Sequence, residues 1–246
     1  MSPSSSPSSV PSSSPSGQPS TTPSSAPSFE SISHEVCQNF AVHARTTITF
    51  DGVMTMVHGG DVGVSPGTSI TGSYTFHSEG QNTGRVVLDS SAFAASVLTA
   101  HTEAMAIPGT AMGIEIGGHT FTPGTYRSDS AINFAYGTVV TLNGLNDPNP
   151  TFLFQAGSTL VTAANTYFIL ENGAKAENVY WALGTAATLG ANSVLEGSIL
   201  AGTAITFGTK SELHGCALAQ SAVTFESEGS IEPNHYIGDD YVIATP

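Results

Sequence analysis

From about residue 29 onward the chain alternates short apolar and Thr-rich runs with breaks. Runs of Val, Ile, Leu, Phe and Thr are interrupted by Gly and Asn roughly every six to ten residues, which is a strand pattern. One segment departs from it. Between about Ser91 and Ala106, Phe93, Val97, Ala100 or His101, and Ala104 recur at helical spacing, with Asp89 and Ser90 as candidate caps and Pro108 and Gly109 as the stop. The pattern predicts a mostly β domain carrying a single helix.

The short runs repeat. Gly202, Thr203, Ala204, Ile205, Thr206, Phe207 align with Gln220, Ser221, Ala222, Val223, Thr224, Phe225 at an offset of 18, and with Gly184, Thr185, Ala186, Ala187, Thr188, Leu189 at the same offset in the other direction. The same pattern, with Thr or Ser first and Thr three later, recurs at Thr46 to Thr49, Thr68 to Thr71 and Thr138 to Thr141, and more loosely at Thr159 to Thr162. An offset of 18 with three short strand-like pieces is the spacing of a three-sided β-solenoid, whose coils stack about 4.8 Å apart and bring equivalent residues into ladders.

Strand alternation sends Ile205 and Phe207 inward and Ala204 and Thr206 outward, with Thr203 at the corner. Val223 and Phe225, and Ala187 and Leu189, take the same inward places. One face is therefore paved with Thr and Ala. Threonine's β propensity alone would put Thr on a strand. An ordinary exposed strand face, however, also carries Lys, Glu and Arg, and the three clearest copies have none. A flat, uncharged face is an aggregation hazard, so its retention points to use. Its alternating hydroxyls and methyls suit a flat, periodic, uncharged ligand that both donates and accepts hydrogen bonds, and ordered water is such a ligand.

Composition narrows the reading. Charged residues make up only 10% of the 246-residue chain, and five Lys and Arg against 19 Asp and Glu give a formal charge of -14. No basic patch is left for nucleic acid or acidic lipid, and no apolar stretch approaches the roughly 18 residues of a membrane span. Residues 2–28 hold 14 Ser and seven Pro, the prolines at a strict period of four, so residues 1–28 are expected to be a disordered tail or linker and residues 29–246 the folded domain. Met1 is followed by Ser and Pro instead of a basic start and an apolar core. Either the protein is not exported or this sequence begins after its signal peptide; the expectation adopted is a secreted, extracellular chain. Cys37 and Cys216 are too few for a disulfide scaffold and too far apart for a CxxC motif, leaving one long-range bridge at most.

From about Cys37 to Tyr236 the chain resembles the microbial ice-binding (antifreeze) proteins of DUF3494 type, which are built on a β-solenoid with a helix alongside. The resemblance is carried by Gly60 to Gly67 (GDVGVSPG), Phe121 to Tyr126 (FTPGTY), Phe152 to Leu160 (FLFQAGSTL) and Asn172 to Trp181 (NGAKAENVYW). It implies a right-handed three-sided β-solenoid that adsorbs to the surface of an ice crystal and inhibits its growth and recrystallisation. No cofactor or metal is implied, and the chain is expected to be a monomer. The family's ice-face motif (Thr, small, any, Thr or Asn) maps onto Thr185, Ala186, Thr188, then Thr203, Ala204, Thr206, then Ser221, Ala222, Thr224. The resemblance also implies that the first coil lies beside the last, setting Thr46, Thr47 and Thr49 next to Ser221, Ala222 and Thr224. Arg45 and Lys210 depart from a neutral surface near its edges. Cys37 and Cys216 should approach each other for the same reason, as a disulfide or as two buried thiols.

Other readings carry less. Gly63 to Gly67 matches GxSxG, but Pro66 has no N–H for an oxyanion hole and no helix follows, so a tight turn explains the glycines. The eight histidines never fall as HxH or HExxH, leaving scattered polar or core positions as the default. A β-helix polysaccharide lyase would need a basic proton acceptor and clustered Asp, whereas Arg45, Arg85, Arg127, Lys175 and Lys210 are widely spread. A non-catalytic cell-surface adhesin with the Ser/Pro tail as a stalk is the stronger alternative, and would show aromatic or charged groups on the paved face. Because the tail has no apolar area with which to join a core, deleting residues 2–28 should leave the melting temperature unchanged in a calorimetric scan. A loss of several degrees would show that the tail packs.

Overall fold

The computed structural model describes Cys37, residues 39–77 and residues 84–233. The tail assigned to residues 1–28 lies outside the described residues, as do residues 29–36 and 234–246 of the expected domain. The chain opens with one coil, β1 (Phe40–Ala44) and β2 (Thr47–His58), followed by a second, β3 (Asp61–Val64) and β4 (Ser69–His77). After β5 (Val86–Val87) comes the helix α1 (Ser91–Ala106), and then β6 (Thr110–Ala111) and β7 (Thr120–Phe121). The remaining chain winds steadily. Its coils are β8 (Gly124–Ser128), β9 (Ile132–Phe134) and β10 (Val139–Asn143), then β11 (Phe152–Ala156), β12 (Leu160–Thr162) and β13 (Tyr167–Glu171). Three more follow: β14 (Val179–Leu183), β15 (Ala187–Leu189) and β16 (Val194–Glu196), then β17 (Ser198–Ala201), β18 (Ile205–Phe207) and β19 (Glu212–His214), and finally β20 (Ala217–Ala219), β21 (Ala222–Phe225) and β22 (Ser230–Ile231).

All the strand pairs are parallel, and they form three sides. The first side runs β5-β3-β1-β20-β17-β14-β11-β8-β6. The second runs β9-β12-β15-β18-β21 and ends on the Thr47–Phe50 half of β2 and on β4. The third joins β7, β10 and β13 to β16, β19, β22 and the Met56–Val57 half of β2. β2 passes from one side to the other through a bend at Gly52 and Met54, which have φ of 118° and 62°. A side chain at Gly52 would collide with Ser227, so only glycine fits that corner.

The first coil lies beside the last, as the resemblance implied. Val42 pairs with Ala217 and Ile48 with Val223, so β1 and β2 sit between the final coil and the β3–β4 coil. Cys37 is disulfide-bonded to Cys216 on the final coil, with Cα atoms 5.7 Å apart at a sequence separation of 179. The hydroxyl of Ser198 accepts the Cys216 N–H at 3.1 Å and lies 3.3 Å from the Cys37 sulfur.

Inside, equal positions stack. Phe207, Phe225, Phe50 and Tyr74 form one aromatic column with successive centroids 4.1, 5.1 and 4.2 Å apart, and Tyr126, Phe154 and Trp181 form another at 5.5 and 4.4 Å. Trp181 donates its indole N–H to the Glu196 carbonyl at 2.9 Å.

The outer surface of the first side is covered by α1. Ala94, Val97, Ala100 and Ala104 are its buried residues, and Val97, Ala100 and Ala104 pack on Leu153, Tyr180, Ala182, Leu200 and Leu218. That two-sided burial explains why FLFQA, VYWAL and SILA read as unbroken apolar runs while strands of the other sides alternate. Gln155 projects from β11 and donates to the carbonyls of Ala104 and Ile107 at 2.6 and 2.7 Å, answering the open C-terminal end of α1. His101 Nε2 meets the Leu183 carbonyl at 2.8 Å. At the other end Ser90 is the N-cap residue but makes no capping hydrogen bond. Its hydroxyl instead meets Nε2 of His43 at 3.0 Å. The cap expected there is thus replaced by a tie to β1.

His43 is wholly buried between Phe40 and Phe93, with ring centroids 5.5 and 4.9 Å away. Burial, assisted by the charge of Arg45, lowers its pKa from 6.5 to about 4. The unfolded chain therefore takes up this proton first. The stability from keeping His43 neutral is complete above pH 6.5 and is lost as the pH falls toward 4, a change on the order of 3 kcal/mol. Urea titrations should find stability falling across that window, with a flatter profile in a His43→Leu variant. An unchanged slope in the variant would assign the acid sensitivity elsewhere.

Candidate binding face

The second side is the one that strand alternation predicted to be paved with Thr and Ala. Its register is continuous: Thr206 pairs with Thr188 and Thr224, Thr224 pairs with Thr49, and Thr49 pairs with Thr71. Five threonines thus stand in one row across five adjacent strands. The inward partners Ile205, Phe207, Val223, Phe225, Ile48 and Phe50 are all buried, while every threonine of the row is exposed or half-exposed.

A second outward row lies two residues earlier on each strand, about 7 Å away at the usual rise. It holds Ala186, Ala204, Ala222, Thr47 and Ser69. At the corner, Thr203 N–H donates to the Thr185 carbonyl at 2.8 Å, Ser221 N–H to Thr203 at 2.7 Å and Thr46 N–H to Ser221 at 2.8 Å. Thr185, Thr203, Ser221 and Thr46 are thereby stacked as a third row. The Thr46 hydroxyl is itself spent on the Ser221 carbonyl at 2.8 Å. The hydroxyls of Thr188, Thr206, Thr224 and Thr49 have no hydrogen bond to the described residues and remain available outward.

The corner is tight enough to require glycine. A Cβ on Gly202 would collide with the Gly184 carbonyl oxygen, and one on Gly184 with that of Gly157. This is why Gly precedes Thr in two of the clear copies, and it lets the coils close without a side chain lifting the row.

Of the repeats read from sequence, one sits on another side and one is shifted on this side. Thr138 to Thr141 belongs to the third side, because Val139 and Thr141 pair with Tyr167 and Ile169 in β13. The copy at Thr159 to Thr162 is out of register by one residue. Leu160 pairs with Ala187 and Val161 with Thr188, so Ser158, Thr159 and Val161 occupy the outward places. Thr162 faces in, 3% exposed, and its oxygen lies 3.2 Å from the Ser193 hydroxyl and accepts the Gly190 N–H.

The sequence offset explains the slip. Ala187 is 27 residues after its partner Leu160, and Leu160 is 28 after Ile132, whereas the last coils repeat at 18. The extra residues lie off this face: in the longer strands and turns of those coils, including Gly144 to Thr151 and the 3-10 turn Ala176–Asn178. With Ser158, Thr159 and Val161 and then Ala131 and Asn133, the face spans seven strands, or about 29 Å at 4.8 Å per step.

The charged residues stand off this lattice. Arg85 pairs with Asp61 at 3.1 Å, Arg127 with Asp129 at 3.0 Å, Lys175 with Glu177 at 3.4 Å and Lys210 with Glu228 at 3.4 Å. Arg45, at the corner before Thr46, reaches Gln220 Oε1 at 3.4 Å. The first side is closed by α1, and the third carries Glu171, Glu212 and Glu232. Among the described residues, the Thr, Ala and corner rows of the second side are open and uncharged, with the exposed carboxylates Asp51 and Glu226 standing just past their edge. The GxSxG match is a turn between β3 and β4, in which Ser65 is 3% exposed and its N–H and that of Gly67 bond the carbonyls of Ala44 and Arg45.

Residues 42–230 match the model of the Ice-binding-like family. An ice-binding protein of Nostoc sp. (strain HG1) is 38% identical over 167 residues, covering 66% of this chain and 59% of that protein. One from Lentinula edodes is 35% identical over 184 residues, covering 66% and 62% respectively. The chain thus spans about three fifths of the length of these curated relatives. The crystal structure of an ice-binding protein from the Antarctic ascomycete Antarctomyces psychrotrophicus superposes with a TM-score of 0.74 at 33% identity, over 82% of this chain and 98% of that one.

Proposed function

The chain belongs to the Ice-binding-like family, and from that premise we propose that it adsorbs to ice through the Thr and Ala rows of its second side and so inhibits ice growth and recrystallisation. The observation that carries this reading is the unbroken row Thr188, Thr206, Thr224, Thr49 and Thr71, uncharged, outward and held in register by backbone pairing. Its hydroxyls hydrogen-bond water and its methyls, with those of the alanine row, confine that water without binding it strongly. Because the strands are rigid, the side chains give up little conformational freedom when the water above them orders, and the ordered layer then merges with the crystal. Growth between adsorbed molecules curves the ice front, which lowers the local freezing point.

No reaction is involved: the protein acts as a surface ligand and not as an enzyme. Adsorption needs one face only, so a monomer suffices. The formal charge of -14 disfavours nucleic acid and anionic membranes as partners. The disulfide between Cys37 and Cys216 supports an extracellular setting, where such bonds persist. An adhesin would need aromatic or charged anchors, and the outward positions of this face carry neither.

Thr206→Tyr places a bulky ring in the middle of the row. The variant should lose most of its thermal hysteresis in a nanolitre osmometer, while circular dichroism and the melting temperature stay close to those of the parent protein. Full activity in a folded variant would show that this side is not the one that meets ice.

A further inference from the structure

The third side carries a ladder of a different kind. Glu196 pairs with His214 across β16 and β19. Leu213 pairs with Ile231, and the N–H of Glu232 donates to the Leu213 carbonyl at 2.9 Å, so Glu232 continues the same position into the next coil. Three coils therefore bring Glu196, His214 and Glu232 into line, and Glu212 joins them from two residues before His214.

The contacts are close. Nδ1 of His214 lies 2.8 Å from Glu196 Oε1, and Nε2 lies 2.8 Å from Glu212 Oε1. One ligand atom from each of Glu212, His214 and Glu232 falls within 4.8 Å of the others. Glu196 is only 6% exposed, and its second oxygen, beside the imidazole, has no hydrogen-bond partner. Three carboxylates thus surround one imidazole, and a buried carboxylate oxygen is left unanswered. A buried carboxylate oxygen without a partner, as in Glu196, is costly.

We propose that Glu212, Glu232 and Nε2 of His214 bind a divalent transition-metal cation of the zinc class, with Glu196 holding the imidazole from its other nitrogen. Imidazole and carboxylate together suit such an ion better than calcium or magnesium, which favour oxygen ligands. A ligating histidine commonly donates its remaining N–H to a carboxylate, and Glu196 stands where that acceptor is needed. On binding, the Nε2 lone pair goes to the metal and any proton on that nitrogen leaves to solvent. The ion would tie the last two coils together on the side remote from the Thr rows, complementing the disulfide that ties the final coil to the start of the chain. This site is independent of ice adsorption.

The test uses the full chain, stripped with chelator and titrated with zinc chloride in a calorimeter, with cobalt chloride as a spectroscopic probe. The proposal expects one equivalent bound and a melting temperature raised by about 5 °C or more at a hundredfold excess over Kd. Cobalt should give visible absorption bands, and thermal hysteresis should not change. Glu196→Gln should weaken zinc by about tenfold or more while the Glu212 and Glu232 carboxylates remain. The double variant Glu212→Gln with Glu232→Gln should abolish the saturable binding. Should that protein fail to fold, Glu232→Gln alone, at a half-exposed position, should still weaken zinc by about tenfold or more. No saturable binding in the parent protein, or undiminished binding in the Glu232 variant, overturns the assignment.

Discussion

Parallel backbone pairing between successive coils is the constraint from which the rest of this structure follows. Once Ile205 is set against Ala187 and Val223, every neighbouring position is set as well, because a one-residue slip would exchange the inner and outer surfaces. The same register stacks Phe207 on Phe225 inside and Thr206 on Thr224 outside. The aromatic column and the threonine row are two products of one arrangement. The column fills the interior and stiffens it, and that stiffness is what lets the row act as a lattice instead of a set of independent side chains.

Chain order gives the lattice its length. If the coils had stacked in the order they are made, the first would have become an end cap. Instead, α1 carries the chain along the first side to the far end, and the later coils wind back until the last meets the first. The join falls within the threonine row, between Thr224 and Thr49. It is reinforced where it is most needed, by the disulfide to Cys216 and by the contact of Arg45 with Gln220. His43 and Gln155 anchor the two ends of the helix. The covering helix α1 also decides which side is available, since it removes the first side from solvent and the carboxylates mark the third.

Much of this was legible in the chain. The offset of 18 between Thr185, Thr203 and Ser221 gave the coil, and strand alternation gave the inward Ile205 and Phe207. Pro108 and Gly109 ended the only run at helical spacing. The adjacency of Thr49 and Thr224 came from family resemblance, because nothing local to either segment encodes a pairing across 175 residues. Thr138 to Thr141 misled for a physical reason: Thr suits any half-exposed strand, so the motif alone does not say which side of a solenoid it occupies. The outward places of Ser158 and Val161 were hidden by the longer coils, where extra residues off the face shift the offset to 27. The capping role of Gln155 and the cluster around His214 left no local signal, since their partners lie in other coils.

The central claim is that register-locked rows of threonine and alanine arrange water before ice arrives. Its most direct test is a crystal structure of this protein at a resolution that shows ordered solvent. The account predicts files of water lying between the Thr188 to Thr71 row and the Ala186 to Ser69 row, repeating with each coil at about 4.8 Å. It further predicts that the third side, with Glu171 and Glu212, lacks such files. Disordered solvent over the threonine rows, or equally regular water on both sides, would contradict it.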